Sequence, residues 1–323
     1  MKGSLPSLAS RALDGACGVA DWLRRAAELV PLRDRIVFVS PPILAEKFLR
    51  YALSSHKRDA AADDPGARDP ALVALLLDLF RAAGKHYFGL RVTGVEHVPK
   101  NGPVLLVGNH NGALLPTDGF FAALAIFDRF GPTRAVYALA HDFLFWDPTL
   151  RRYALRLGGL RASHESARRA FAQGGIVLVY PGSDVDTFRS WGKRDRIELG
   201  GRTGFLTLAI RAGVPIVPVV SVGTHEQLVV LTRGDRLAKL LHTHAWARTD
   251  VFPIVLSFPW GITTGFLPYF PLPAQTSLAF GAPIAWPELK STDAEDPVVL
   301  SRCYSEVESK MQALLDGLSA GRV

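Results

Sequence analysis

Cysteine is almost missing from this chain of 323 residues: Cys17 and Cys303 are the only two, with no Cys-x-x-Cys pair and no Cys/His cluster. That scarcity argues against a disulfide scaffold and against a structural zinc site. No continuous apolar run reaches the roughly 18 residues of a membrane-spanning helix. The opening stretch MKGSLPSLASRALDGACGVADWLRR lacks the apolar centre of a secretory signal, so the chain is expected to be made and kept inside the cell. Internal repeats and low-complexity tracts are absent too. With 48% hydrophobic and 21% charged residues, a disordered, collagen-like or coiled-coil chain is excluded.

What remains is a folded protein of α/β or α+β type, long enough for one sizeable core or two small ones. Its mean hydropathy is +0.16 and its pI about 9.6. Lys and Arg number 37 against 30 Asp and Glu, a net charge of +7. A basic surface suits nucleic acid, anionic lipid or phosphorylated ligands without choosing among them. Ten basic residues against six acidic ones fall within positions 1–60. There Leu13, Ala16, Ala20, Leu23, Ala27 and Val30 recur at helical spacing beside Trp22. Such a helix either lies on an anionic membrane or packs on the protein's own core. A polar joint over 60–70 then divides a helical, membrane-associating region 1–69 from a main domain 70–323.

Strands and helices alternate in that domain. A helix is predicted from Pro70, burying Leu72, Leu75, Leu76 and Leu79, and a short strand near Leu90–Val92. Uncharged strands follow at 104–107, 135–140, 176–180 and 216–222, separated by helices at 118–130, 164–173 and 204–211. Thr117 is the expected N-cap of the first of these helices. Uncharged strands between helices predict a mostly parallel central sheet flanked by helices. Function in such sheets gathers where loops leave the strand C-termini. This directs attention to Asn109–Asp118, His141, Pro181–Arg189 and Gly223–Glu226. Residues 251–287 carry no formal charge and hold seven prolines, which forbid one straight helix. They read as core strands with an aromatic, lipid-facing rim. A terminal helix over 297–318 is predicted to pack through Val299, Cys303, Val307, Met311 and Leu314. His242 and His244 have no Cys or acid beside them in sequence and read as structural.

The chemistry centres on Asn109-His110-Asn111-Gly112-Ala113-Leu114-Leu115-Pro116-Thr117-Asp118, between a strand and a helix. A loop histidine titrates near neutrality and serves as a general base. A carboxylate such as Asp118 fixes its tautomer and stabilises the imidazolium. No Gly-x-Ser-x-Gly elbow is present, and Ser183 in Tyr180-Pro181-Gly182-Ser183-Asp184 lacks the flanking glycines. A His/Asp pair without a nucleophile fits direct transfer to an acceptor hydroxyl. The plain alternative is a polar loop histidine bonded to backbone.

Four blocks in order resemble the glycerolipid acyltransferase superfamily over roughly residues 85–290. They are His110 to Asp118 after HYFGLRVTGVEHVPKNGPVLLVGNH; Gly159 with Arg161–Ala162; Val179–Ser183; and Gly204–Phe205 through Val219. The resemblance reaches lysophosphatidic acid and glycerol-3-phosphate acyltransferases and the monoacylglycerol acyltransferase-like branch. Two departures stand out. The family's Asp falls five positions after the His, where this chain has Leu115; the role passes to Asp118. The family's Phe-Pro-Glu-Gly-Thr-Arg is replaced by Pro181-Gly182-Ser183-Asp184, with no Glu or Arg in place to hold a glycerol phosphate.

The resemblance implies an enzyme that moves an acyl chain from an acyl thioester to a glycerolipid hydroxyl. The donor is acyl-coenzyme A or acyl carrier protein; no bound cofactor or metal is needed. The acceptor is lysophosphatidic acid or a neutral mono- or diacylglycerol. His110 is the base and Asp118 its partner. N–H groups of Asn111–Gly112 or Pro181–Ser183 stabilise the oxyanion, and Arg161 and Arg202 hold donor phosphates. Peripheral attachment to the cytoplasmic face of a membrane follows. Rival readings are a lipid esterase or thioesterase and a non-enzymatic lipid-binding protein. Nucleic-acid binding ranks last, because no finger, RNP pattern or recognition helix is present.

Overall fold

The computed structural model describes residues 21–31 and 63–321 except 112–114, 248 and 268, together with isolated positions 18, 34, 46 and 50. Seven strands form the main sheet in the order β1-β10-β6-β2-β5-β3-β4. These are β1 (Arg91–Thr93), β2 (Val104–Gly108), β3 (Val136–Ala140), β4 (Gly159–Arg161), β5 (Ile176–Val179), β6 (Ile216–Val222) and β10 (Ser277–Phe280). The strands from β6 to β4 run parallel, and β10 joins β6 antiparallel. The mostly parallel sheet read from the uncharged strands is therefore present.

Both faces of the sheet are covered, which is why its strands need no polar alternation. Along β2 the side chains divide between two cores. Leu105 and Val107 face α4 (His164–Ala172), α6 (Gly204–Ala212) and α7 (Pro297–Ala320). Val104 and Leu106 face α1 (Pro70–His86) and α2 (Thr117–Phe130). Helix starts follow elementary capping: Asp69, Asp147 and Asp296 each accept from N–H groups of the first turn, with proline next in sequence. The helix capped by Asp147, α3 (Pro148–Arg156), escaped the periodicity reading because its nine residues carry a short, arginine-interrupted apolar stripe.

Three expectations need correction. Helix α1 buries Leu72 and Leu75 on one side and Val73, Leu77 and Phe80 on another, while Leu79 is exposed. It is wedged between two cores, so a single stripe does not describe it. In the N-terminal helix 21–29, Leu23 and Ala27 are exposed. Trp22, Ala26, Leu29 and Val30 instead pack on Leu72, Leu75 and Tyr153, and the Trp22 indole N–H donates to the Leu75 carbonyl at 2.9 Å. This segment packs on the protein's own core; Leu13, Ala16 and Ala20 lie outside the described residues. In α7 the buried stripe is Cys303, Val307, Met311 and Leu315, one residue on from the expected Leu314.

Residues 226–273 form an excursion between β6 and β10. It carries a three-stranded antiparallel sheet, β7 (Val229–Thr232), β8 (Ile254–Ser257) and β9 (Gly261–Thr264). Its inner face, Val230 and Val255, packs with Val251 and Leu228 against Phe188. Phe188 ends the short helix α5 (Ser183–Thr187), which lies beside the end of β2.

Candidate active site

All five residues of β2 are buried, and the strand delivers Asn109, His110 and Asn111 to its C-terminal edge. Gly108 is required there: a Cβ would meet the Tyr180 ring at 2.5 Å. Its absence lets Tyr180 stack on the His110 imidazole, with ring centroids 4.4 Å apart. The Asn109 side chain prolongs the sheet pairing beyond the strand. Its amide donates to the Ser221 carbonyl (3.0 Å) and accepts the Ser221 N–H (2.8 Å).

Asp118 stands in the first turn of α2, where the helix dipole favours a carboxylate. It is 1% exposed. Its Oδ2 accepts from His110 Nδ1 at 3.0 Å and from the Asn111 N–H at 2.8 Å, and its Oδ1 accepts the Gly119 N–H at 2.8 Å. A carboxylate at Nδ1 selects the tautomer with the proton there, which leaves Nε2 as the basic nitrogen. None of the described residues hydrogen-bonds to Nε2. Thr117 is the first helical residue rather than the cap: Pro116 holds the cap position, and the Thr117 hydroxyl donates to Gln227 at 2.8 Å.

Behind this pair lies a buried ionic layer that sequence reading did not assemble. The His110 N–H donates to Asp186, which forms an ion pair with Arg189. Arg189 is 1% exposed, donates to the Asn111 side-chain oxygen at 2.7 Å, and is lowered by burial to about 10, so it stays charged. Asn111 also donates to the Ser221 hydroxyl, which bonds Thr224. His225 lies beneath Trp191 and is lowered to about 3, first by burial and then by the Arg189 charge. The three-residue spacing of Asp186 and Arg189 across one helical turn was the available signal for the pair.

The turn after β5 is tightly built. A Cβ on Gly182 would lie 2.1 Å from the Glu198 carbonyl oxygen, and Ser183 has φ of +49°. Arg202 clamps this turn: it donates to the Pro181 and Gly182 carbonyls at 3.1 Å each and to Asp184 at 3.2 Å. Burial alone would raise the Asp184 carboxyl, but the Asp250 N–H, the Thr249 hydroxyl and Arg202 together hold it below the usual range. Arg161 is tied elsewhere: its N–H donates to buried Asp63 at 2.7 Å, and its guanidinium lies over the Phe145 ring.

The structure thus brings His110, Asp118, Asn111, Asp186, Arg189 and Ser221 together. Two of the backbone groups named as oxyanion donors have partners already. The Asn111 N–H is held by Asp118 and the Ser183 N–H by the Tyr180 carbonyl, while Pro181 has none. Gly112 lies outside the described residues. His141 accepts the Phe143 N–H, and His244 pairs with Asp250 at 2.9 Å. Among the described residues no group of three or more His, Cys, Asp or Glu is arranged to hold a metal.

The Acyltransferase family profile matches residues 89–222, the span from just before β1 to the end of β6. Uncharacterized protein Rv0502 of Mycobacterium tuberculosis is 33% identical over 275 residues, covering 85% of this chain and 73% of its own. The human "DGAT1/2-independent enzyme synthesizing storage lipids" is 28% identical over 196 residues, covering 60% of this chain and 58% of its own. Among solved structures, the 1-acyl-sn-glycerophosphate (LPA) acyltransferase PlsC of Thermotoga maritima overlaps 89% of this chain and 93% of its own, with 17% identity and a TM-score of 0.45. The matched span contains His110, Asp118, Asp186 and Arg189, and the chain belongs to the glycerolipid acyltransferase superfamily and is an acyltransferase.

Proposed function

We propose that the protein transfers an acyl chain from an acyl thioester, on coenzyme A or acyl carrier protein, to the hydroxyl of a neutral glycerolipid such as a monoacylglycerol or diacylglycerol. The observation that carries this is the 3.0 Å contact between His110 Nδ1 and buried Asp118, with Nε2 turned away from both. Nε2 takes the proton of the acceptor hydroxyl as its oxygen attacks the thioester carbonyl. Asp118 stabilises the imidazolium that forms. When the C–S bond breaks, the imidazolium returns its proton to the leaving thiolate, and the ester is complete. Asp186 and Arg189 act through His110 and Asn111 as positioning residues.

A neutral acceptor is favoured over lysophosphatidic acid by where the cations lie. A phosphate needs available donors and positive charge. Arg189 is paired inside with Asp186, Arg202 with the 181–184 turn, and Arg161 with Asp63. The arginines around a cavity of about 400 Å³ lined by the segment from Phe145 to Arg156 that connects β3 to β4 are paired as well: Arg151 with Asp63, Arg152 with Asp34 and Arg156 with Asp69. The storage lipids named for the human relative belong to the same chemical class.

The reading also includes peripheral attachment to the cytoplasmic face of a membrane, because the acceptor resides in one. Among the described residues no helix is long and apolar enough to cross a membrane. The test is acyl transfer in detergent from labelled acyl-coenzyme A and acyl carrier protein to glycerol 3-phosphate, lysophosphatidic acid, monoacylglycerol and diacylglycerol. Transfer to the neutral alcohols, lost in His110→Ala, is expected. Release of free fatty acid unaffected by acceptor would instead identify a hydrolase.

A further inference from the structure

Exposed apolar side chains are concentrated in one stretch of the chain. Eight of the fourteen large hydrophobic residues that the described structure exposes fall between Leu231 and Phe270. The small β7-β8-β9 sheet and its hairpin carry Leu231, Leu256, Phe258, Trp260 and Ile262. Leu256 and Ile262 stand directly opposite each other in the β8–β9 register, so both project from one face, and Ile262 is 72% exposed. The hairpin between these strands carries Phe258, Pro259 and Trp260 at its tip. Phe270 lies across from Phe258: its N–H donates to the Phe258 carbonyl at 2.9 Å, and the two exposed rings sit 6.2 Å apart.

The opposite face of the same sheet is bound to the catalytic region. Val230 and Val255 pack on Phe188, next to Arg189. Tyr269 joins that core, and its phenol is raised by burial and then by the charge of Asp118. Three residues on, the Leu272 N–H donates to the Gln227 carbonyl at 2.9 Å, and Gln227 accepts from Thr117, the neighbour of Asp118. The exposed aromatic rim is thus continuous with the wall of the His110 site.

We propose that the outer face of the β7-β8-β9 sheet, with the Phe258–Trp260 tip and Phe270, is the surface by which the protein docks on a lipid bilayer and presents His110 to it. The inference rests on the acyl-transfer reading, since it is the acceptor lipid that this docking brings within reach. Three observations select a bilayer. Phenylalanine and tryptophan at a loop tip suit the headgroup boundary. The whole tract 251–287 is uncharged, so no ion has to be desolvated when it meets acyl chains. The adjoining helix Asp235–Leu240 exposes Arg236 and Lys239 beside Leu240, the mixture of cation and apolar side chain that an anionic leaflet attracts.

The test uses the full chain with vesicles of phosphatidylcholine, alone and with phosphatidylglycerol. Wild type is expected to float with the vesicles, and a Phe258→Ser/Trp260→Ser/Phe270→Ser variant to lose about tenfold or more in partitioning. Transfer to a short-chain monoacylglycerol below its micellar concentration, with no vesicles present, is expected to persist in the variant. A second readout does not depend on that variant's folding: brominated phosphatidylcholine should quench wild-type fluorescence more than that of Trp260→Phe. Equal flotation of wild type and triple variant, or equal quenching of wild type and Trp260→Phe, overturns the proposal. So does a wild-type dimer that the triple substitution dissociates without change in flotation, which would assign the face to a second copy. Flotation with no transfer to any acceptor would overturn the acyl-transfer reading and leave the docking surface standing.

Discussion

Replacing Asp118 with asparagine removes one charge and almost no volume, so it isolates what the carboxylate does. Its Oδ2 receives two donors, His110 Nδ1 and the Asn111 N–H, and its Oδ1 receives the Gly119 N–H. An amide has only one accepting oxygen. With the oxygen at Oδ2, the amide NH₂ faces the Gly119 N–H; with the groups reversed, it faces the Asn111 N–H and drives the imidazole into the wrong tautomer. Either arrangement costs about 1–3 kcal/mol for the donor left facing a donor, a few degrees in Tm. The kinetic effect is larger. An imidazolium about 4 Å from a carboxylate gains about 4 kcal/mol at the effective dielectric of about 20 that suits protein sites, worth about a thousandfold in rate. In steady-state acyl transfer to monoacylglycerol, kcat of Asp118→Asn is expected to fall about a hundred- to a thousandfold. The two residues act as a unit, so Asp118→Asn added to His110→Ala should slow the enzyme little further. A kcat within tenfold of wild type, with Tm lowered as expected, would refute the role of Asp118 as partner of the base.

Arg189→Met leaves the Asp186 carboxylate buried without its cation and is expected to cost about 3–5 kcal/mol in urea unfolding; a cost below 1 kcal/mol would mean the pair is not buried as described. His225 is lowered to about 3 in the folded chain against an ordinary 6.5, so between these values the unfolded chain binds the extra proton. Stability is therefore undiminished by this group above about pH 6.5 and falls as pH drops toward 3, the loss reaching about 2 kcal/mol at pH 5. Unfolding of wild type and His225→Gln at pH 8 and pH 5 should show this acid-sensitive difference; parallel curves would contradict it. Asp184→Asn loosens the hold on the partly exposed Arg202 and is expected to lower KM for lysophosphatidic acid about threefold relative to monoacylglycerol, measured by competing the two acceptors.

The sequence was most legible where the chain is simplest. Residues 104–107 and 216–222 hold no charge, and both became central strands within a residue of their expected bounds. His110 and Asp118 were legible because a loop between strand and helix can hardly separate its ends by much. The three-stranded sheet was legible only in part: strands were expected within 251–287, but β7 lies before that tract and none of its four-residue strands holds a long alternation. The layer beneath His110 was hidden for another reason. Asp186 and Arg189 look like two of many surface charges until the fold buries both, and the pairing of Asn109 with Ser221 spans 112 residues of sequence. Leu79 and Leu23 misled because a helix touching two neighbours, or packing through a different stripe, does not announce which leucines face outward.

The third sequence block acquires its meaning from that buried layer. An acid and an arginine do stand near the turn after β5, as in the family pattern, but here they are turned inward. Asp186 receives the backbone N–H of His110, and Arg189 holds the side chain of Asn111. Together they fix the two residues that flank the bond to Asp118. A guanidinium committed to that task, 1% exposed, has no face left for a phosphate outside. The same inward turn places Phe188 over the small sheet, whose other side is bare and apolar. Rigidity at His110, a weak claim on phosphate and an apolar rim beside the site therefore stem from one local change in chain direction between Gly182 and Arg189. On this ground the proposed acceptor is one that offers a hydroxyl and hydrocarbon and little else.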